Sequence, residues 1–226
     1  LWKVDRPSDG VAECFHSYAS PTARRYGDVN VVITHGHDYT IGHDPKTGRE
    51  LWRIGELNPK DKYNRTLRFV ASPVAHKGLV VAPSAKNRGV AGIMIKTARG
   101  LIGPGAKSEA WRIEKGTPDV PSPLVYNNHV YLCRENGTAI CLDARSGEQY
   151  YHERVYAQTY RASPVAANGR IIFTARDGTF SVIKAGPTLE ILAKNKLDDQ
   201  FTASPAINNN RIYLRGYQSL YCIGKK

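Results

Sequence analysis

The chain has 226 residues, 41% of them hydrophobic, with 20 glycines and 13 prolines. That length can bury a sizeable core without metal or disulfide support, and the composition is that of a turn-rich β protein. The formal charge is +12, but the basic residues are scattered (Lys60, Lys62, Arg65 and Arg68; Arg24 and Arg25; Lys194 and Lys196). No aromatic-interleaved basic stretch marks a nucleic-acid platform, no apolar run reads as a membrane span and no signal peptide is visible.

The predicted elements follow a repeat. Ser-Pro recurs as Ala-Ser-Pro at 19–21, 71–73, 162–164 and 203–205 and as Pro-Ser-Pro at 121–123. The spacings between successive anchors are 52, 50, 41 and 41 residues, the period of stacked or radial supersecondary units. In chain order, Leu1-Trp2-Lys3-Val4 reads as a closing strand. Val31–Thr34 reads as a strand, His35–Asp38 as its turn and Tyr39–His43 as the next strand. Residues 42–52, GHDPKTGRELW, turn into a fourth strand that ends on Trp52. Asp44 and Thr47 can hydrogen-bond the backbone of this turn, and Gly48 supplies a positive φ. EAWRI places Trp111 at the same strand position. The third unit, SPLVYNNHVYLCRENGTAICLDARSGE, turns at Asn127-Asn128 and Asn136-Gly137 and repeats the motif with Asp143, Gly147 and Tyr151. The fourth, SPVAANGRIIFTARDGTFSVIKAG, turns at Asn168-Gly169 and Asp177-Gly178, with Leu192 in the Trp position. The fifth, SPAINNNRIYLRGYQSLYCIG, stops after a third strand. Strands such as Val130–Cys133 and Ile171–Thr174 are short and rich in β-formers, and no window has a sustained helical period. Each unit is therefore an antiparallel meander of about four strands, a propeller blade. The predicted fold is all-β: a single β-propeller domain over 1–226 with units anchored near 20, 72, 122, 163 and 204, four complete plus partial ends.

Asp44, Thr47, Gly48, Glu50 and Trp52 resemble the tryptophan-docking motif of pyrroloquinoline-quinone-type repeats, Ala-x-Asp-x-x-Thr-Gly-Lys-Glu-x-Trp, with Gly42 for Ala and Arg49 for Lys. The third unit keeps Asp143 and Gly147, with Ser146 for Thr and Tyr151 for Trp. The chain as a whole resembles the bacterial, planctomycete-type repeat proteins of the quinoprotein alcohol dehydrogenase-like superfamily. That resemblance implies a seven- or eight-bladed ring of which this chain is part; the alternative is a closed five-bladed ring whose last blade takes Trp2's strand. It also implies a periplasmic or secreted protein.

The blade-building residues repeat, so specificity is sought in what varies. The segments before the anchors read ECFHSYASP, RTLRFVASP, GTPDVPSP, QTYRASP and DQFTASP. In a propeller they cross one face of the disc, so His16, Tyr18, Arg68, Asp119, Arg161 and Gln200 are the candidate ligand-binding residues at a channel mouth. The favoured reading is a non-catalytic scaffold that binds a protein partner or an anionic ligand there, with no cofactor. The alternative is a quinone- and calcium-dependent oxidoreductase completed by further blades; a second is carbohydrate or anionic-polymer binding. Against an enzyme, Glu13 and Asp119 are isolated carboxylates and no vicinal cysteines or hydrolase motif occurs. His35, His37, Asp38 and His43 contain metal-ligating types, but His43 lies a strand away from the other two imidazoles. The four cysteines read as small buried hydrophobes, with a Cys133–Cys141 cross-strand disulfide conceivable. Asn64-Arg65-Thr66 and Asn136-Gly137-Thr138 match the glycosylation sequon but read as turns.

Overall fold

The computed structural model describes residues 1–85 and 88–224. Apart from one parallel pairing its sheets are antiparallel meanders joined by short turns, and among the described residues the helical content is two single 3-10 turns, Ala12–Phe15 and Lys60–Lys62. The fold is an all-β propeller architecture. The chain divides into two compact units, Leu1–Asp119 with Ala144–Gly147, and Val120–Asp143 with Glu148–Lys226.

In the first unit, β1 (Thr22–Tyr26), β2 (Val29–Gly36), β3 (Tyr39–His43) and β4 (Glu50–Ile54) form one blade. The second blade contains β5 (Val74–His76), β6 (Leu79–Pro83) and β7 (Val90–Met94). Before it closes, the chain makes β8 (Gly100–Ile102), which leaves the blade and pairs in parallel with β4, Trp52 opposite Gly100. Then β9 (Glu109–Ile113) completes the second sheet against β7. The core gathers Ile33, Trp52, Ile54, Phe69, Val80, Ile93 and Ile102.

The second unit contains β10 (Leu124–Tyr126), β11 (His129–Cys133), β12 (Thr138–Asp143) and β13 (Gln149–Arg154). It continues with β14 (Val165–Ala167), β15 (Arg170–Thr174), β16 (Thr179–Lys184) and β17 (Ile191–Lys196). A three-stranded sheet follows: β18 (Ala206–Asn208), β19 (Arg211–Arg215) and β20 (Leu220–Gly224). Tyr131, Tyr151, Tyr160, Ile171 and Phe173 form one core cluster, and Ile172, Phe180, Phe201 and Leu214 another. The first hairpins turn on asparagines with positive φ, as at Asn127-Asn128 (49° and 63°) and Asn209-Asn210 (47° and 59°), the geometry that matches strand twist.

The anchors have a shared bonding role. The Ser20 N–H donates to Ser72 Oγ at 2.9 Å in the first unit. In the second, Ser122 N–H donates to Ser163 Oγ and Ser163 N–H to Ser204 Oγ, each at 2.9 Å. Each serine hydroxyl thus accepts the backbone of the preceding anchor. This satisfies a donor at the strand entry that would otherwise cost about 1–3 kcal/mol if buried unpaired.

Three expectations are corrected. β2 runs to Gly36, so His35 is a buried strand residue and the turn is His37-Asp38, both at positive φ. A type I′ pair needs only two residues, and the strand keeps the rest. Trp2 lies outside any strand, although its indole covers Gly48. Cys222 is exposed, because β20 is an edge strand. Cys133 and Cys141 are buried free thiols, in line with the reading as small buried hydrophobes: the register pairs Tyr131 with Cys141 and Cys133 with Ala139, so the two cysteines are offset.

Candidate binding surface

In the first unit two pre-anchor segments run side by side. Ser17 bridges Phe69 in parallel, Tyr18 N–H donates to Phe69 O at 3.0 Å and Glu13 N–H donates to Arg65 O at 3.1 Å. Extended backbone alternates its side chains. Phe69 is therefore buried and Ser17 points inward, its hydroxyl donating to His35 O at 2.6 Å, while His16, Tyr18 and Arg68 face solvent. Tyr18 is 61% exposed and Phe15 54%. Phe15 meets the His37 ring edge-on at 6.0 Å, and Arg68 pairs with Glu13 at 3.3 Å. The structure so brings His16, Tyr18 and Arg68 onto one ledge. Phe15 and His37 join it without any sequence signal, since neither is spaced from an anchor in a repeating way. Asp119, on the segment before Ser122, is half-buried; Thr117 holds that segment, its hydroxyl donating to the Arg88 and Gly89 carbonyls.

In the second unit the same alternation buries Tyr160 and Phe201 and leaves Arg161 and Gln200 exposed. Arg176 ties the two segments: its N–H donates to Thr159 O at 2.8 Å and its carbonyl accepts from Phe201 N–H at 3.0 Å. Gln200 lines an open cavity of about 400 Å³ with Gln158, Arg176, Asp177, Asp199 and Gln218; Arg161 is not part of that wall. Asp199 is a turn clamp, its carboxylate accepting the N–H groups of Gln200, Tyr217, Gln218 and Ser219 at 2.7–3.3 Å.

Beside the ledge lies a polar pocket of about 250 Å³ that includes Asp9, Asp38, Tyr39, Asn58, Lys60 and Tyr63. Tyr63 donates to Asp38 at 2.5 Å, Asn58 to the other Asp38 oxygen at 3.3 Å, and Tyr39 to Asp9. Burial pushes the Asp38 carboxyl above the usual range against those hydrogen bonds, whereas the Tyr39 hydroxyl and Lys60 hold Asp9 below it. Tyr39 is itself pushed up to about 12, by burial and by Asp9. Every polar group named is paired, so the pocket's network primarily fixes the turn at His37-Asp38.

His35 is fully enclosed. Its Nδ1 meets Thr40 Oγ1 at 2.6 Å and its ring stands edge-on to Phe69 at 4.8 Å. Burial lowers its pKa to about 3, Arg6 adds to the effect and the Pro83 carbonyl opposes it. It is a neutral core group. Among the described residues no cluster of three or more His, Cys, Asp or Glu has the geometry of a metal site. The Trp52 and Trp111 indoles are spent against Gly42 and Gly92.

Comparison with known proteins bears on the fold. Residues 100–187 match the family model described as outer membrane protein assembly factor BamB. Over those residues the chain is similar to PQQ-like β-propeller repeats. The crystal structure of BamB from Moraxella catarrhalis superposes with a TM-score of 0.73 at 14% identity, over 98% of this chain and 62% of that one. The chain thus spans under two thirds of that protein's length. The computationally designed Ika8 protein gives a TM-score of 0.65 at 16% identity, over 95% of this chain and 59% of that one. The designed Ika4 protein gives 0.56 at 15%, over 69% of this chain and 90% of that one. No curated protein sequence matches. Among the described residues no helix is long and apolar enough to cross a membrane.

Proposed function

We propose that this PQQ-like propeller chain is a protein-binding scaffold, and that the ledge of Phe15, His16, Tyr18 and Arg68 is its principal recognition surface. One observation carries the reading: two exposed aromatic rings and an arginine sit on backbone that is locked to a buried strand neighbour. Aromatic and arginine side chains dominate the energetics of protein interfaces, and a rigid ledge loses little entropy on binding. In sequence, Asp119 in the first unit and Arg161 and Gln200 in the second hold the corresponding positions before their own anchors. The match to a family described as an assembly factor supports a binding role, and the family resemblance supports the periplasm or cell exterior as its place.

A photo-crosslinking side chain at position 18 tests this in cell-envelope extracts. The expected outcome is a discrete protein adduct that the Arg68→Ala change weakens. The control is position 26, also exposed but on β1. Equal adducts from positions 18 and 26, or none from 18, would sink the assignment.

A further inference from the structure

Two asparagines in this chain, Asn136 and Asn168, are followed by glycine. Both pairs form hairpin turns of the second unit: Asn136-Gly137 joins β11 to β12, and Asn168-Gly169 joins β14 to β15. Both glycines have positive φ, 81° and 72°. A carboxamide next to an unhindered glycine nitrogen is the pairing in which an asparagine cyclises most readily on its own backbone. The other asparagine turns, Asn127-Asn128 and Asn209-Asn210, lead into His129 and Arg211, whose side chains crowd the nitrogen that would attack.

The two pairs differ in what holds them. Asn136 Oδ1 accepts the Thr138 N–H at 3.1 Å, Gly137 N–H donates to Arg134 O at 2.9 Å, and Gly137 O accepts from Val155 N–H at 2.9 Å. Gly137 is buried, and a Cβ placed on it would collide with the Tyr156 carbonyl. Asn168 is exposed; Arg170 donates to its backbone carbonyl at 3.2 Å, and among the described residues no hydrogen bond reaches its carboxamide. A Cβ on Gly169 would meet nothing within 4 Å. Two bonds tie Gly169: its N–H donates to the Tyr126 hydroxyl at 3.0 Å, and its carbonyl accepts from Ala185 N–H at 2.8 Å.

The Tyr126 bond is a seam between neighbouring blades. Tyr126 ends β10 and Gly169 lies just past β14; at the entry of the same two strands Ser122 N–H donates to Ser163 Oγ. Asn168 has the left-handed conformation, φ 49°, in which Cβ stands away from the following nitrogen, so cyclisation waits for the turn to open. The contacts that keep each turn closed therefore set how often its asparagine reacts. Asn168 has fewer of them than Asn136, and one of those is a single hydroxyl on the neighbouring blade.

We propose that Asn168 is a self-modification site, deamidating through a cyclic imide with Gly169, and that Tyr126 is the latch that restrains it. Hydroxide takes the Gly169 amide proton and the nitrogen attacks Asn168 Cγ. The Cγ–Nδ2 bond breaks, and ammonia leaves with a proton from water. Water then adds across either imide C–N bond, giving aspartate or its β-linked isomer. The net exchange is water for ammonia, and nothing is oxidised or reduced. In the imide the Gly169 nitrogen carries no proton, so the bond to Tyr126 is lost; the product then sets a carboxylate two residues from Arg170. The β-linked isomer adds one backbone carbon to a turn that closes on two residues. Modification so opens the hairpin end of a seam that Ser163 keeps closed at the strand entry. The site is independent of the recognition ledge, which lies in the first unit.

Trypsin reports the two sites separately, because residues 162–170 contain Asn168 and residues 135–145 contain Asn136, each stretch bounded by arginines and each with a single asparagine. The folded chain is incubated in mildly alkaline buffer, digested briefly in mild acid, and the gain of one mass unit in each peptide is followed by mass spectrometry. The expected result is that the 162–170 peptide is modified about tenfold faster than the 135–145 peptide, the factor given by a difference of about 1.4 kcal/mol in the cost of opening the turn. In urea the two rates converge to within about threefold, since both asparagines precede glycine and neither turn is held. Tyr126→Phe raises the Asn168 rate about threefold or more, and the Asn136 rate stays unchanged as the internal check on folding. The proposal is overturned if Asn168 reacts no faster than Asn136 in the folded chain, if the difference persists in urea, or if Tyr126→Phe leaves the Asn168 rate unchanged or raises both rates alike.

Discussion

The buried imidazole of His35 makes the first unit acid-sensitive, and the size of the effect follows from the structure. His35 is 3% exposed and its folded pKa is held near 3, against an ordinary value of 6.5. A depressed histidine pKa means that the folded state keeps the neutral ring while the unfolded chain takes up a proton. Its stabilising effect is therefore complete above pH 6.5 and is lost as pH falls from 6.5 towards 3. Linkage gives RT ln[(1 + 10^(6.5−pH))/(1 + 10^(3−pH))], a loss of about 2 kcal/mol between pH 7 and pH 5. The result is insensitive to the folded value, because at pH 5 any folded pKa below about 4 gives nearly the same figure. His37, also held low by burial and by Arg6, acts in the same direction. The groups facing His35 are Thr40, Phe69, Arg6 and the Pro83 carbonyl; none is a carboxylate that could compensate. Urea unfolding followed by tryptophan fluorescence is the assay, since Trp2, Trp52 and Trp111 all lie in the unit that holds His35. With a urea slope of about 2–3 kcal/mol per molar, the midpoint falls by roughly 0.7–1 M from pH 7 to pH 5. His35→Phe keeps an aromatic ring and removes the titration; it lowers stability at pH 7 through the lost Thr40 contact but flattens the pH slope. An unchanged slope in His35→Phe would refute the reasoning.

Other perturbations probe the blades directly. Gly42→Ala and Gly92→Ala place a methyl 2.2 Å from Trp52 Cε2 and 2.3 Å from Trp111 Cε2, which overpacks the sheet. Each is expected to lower stability by about 1–3 kcal/mol or more in denaturant titrations. Ser163→Ala removes the acceptor for Ser122 N–H and costs about 1 kcal/mol by the same measurement. In thiol titration of the native chain Cys222 reacts first, because it alone of the four cysteines is exposed. Cys133 and Cys141 wait for unfolding: burial pushes the Cys141 thiol up to about 12 and that of Cys133 higher still. Prompt reaction of two or more native thiols would contradict that placement.

The blades were legible because their signals are local. Ser-Pro spacing marks the units, and Asn127-Asn128 and Asn168-Gly169 announce positive φ where the backbone adopts it. The pre-anchor positions named His16, Tyr18, Arg68, Asp119, Arg161 and Gln200 as residues of a channel mouth; in the structure Asp119 is half-buried and the other five are exposed. What escaped the sequence has no repeating counterpart. β8 is a short insertion whose partner, β4, lies some fifty residues earlier in the chain. The Asp9–Tyr39 and Asp38–Tyr63 bonds join residues 30 and 25 positions apart, beyond any local pattern. Trp2 covers Gly48 without the strand that was expected to carry it.

The serine contacts at the strand entries have a consequence for how such chains can change over time. Each hydroxyl accepts a main-chain N–H, a group that every residue but proline possesses. A unit bounded by two anchors therefore needs no particular side chain from its neighbour at this seam. Spacings of 41 and 52 residues are served by the same contact, so loops lengthen between anchors without disturbing it. The Ser122-to-Ser163 stretch is in this sense a cassette: duplicated or exchanged whole, it arrives with both halves of the seam already in place.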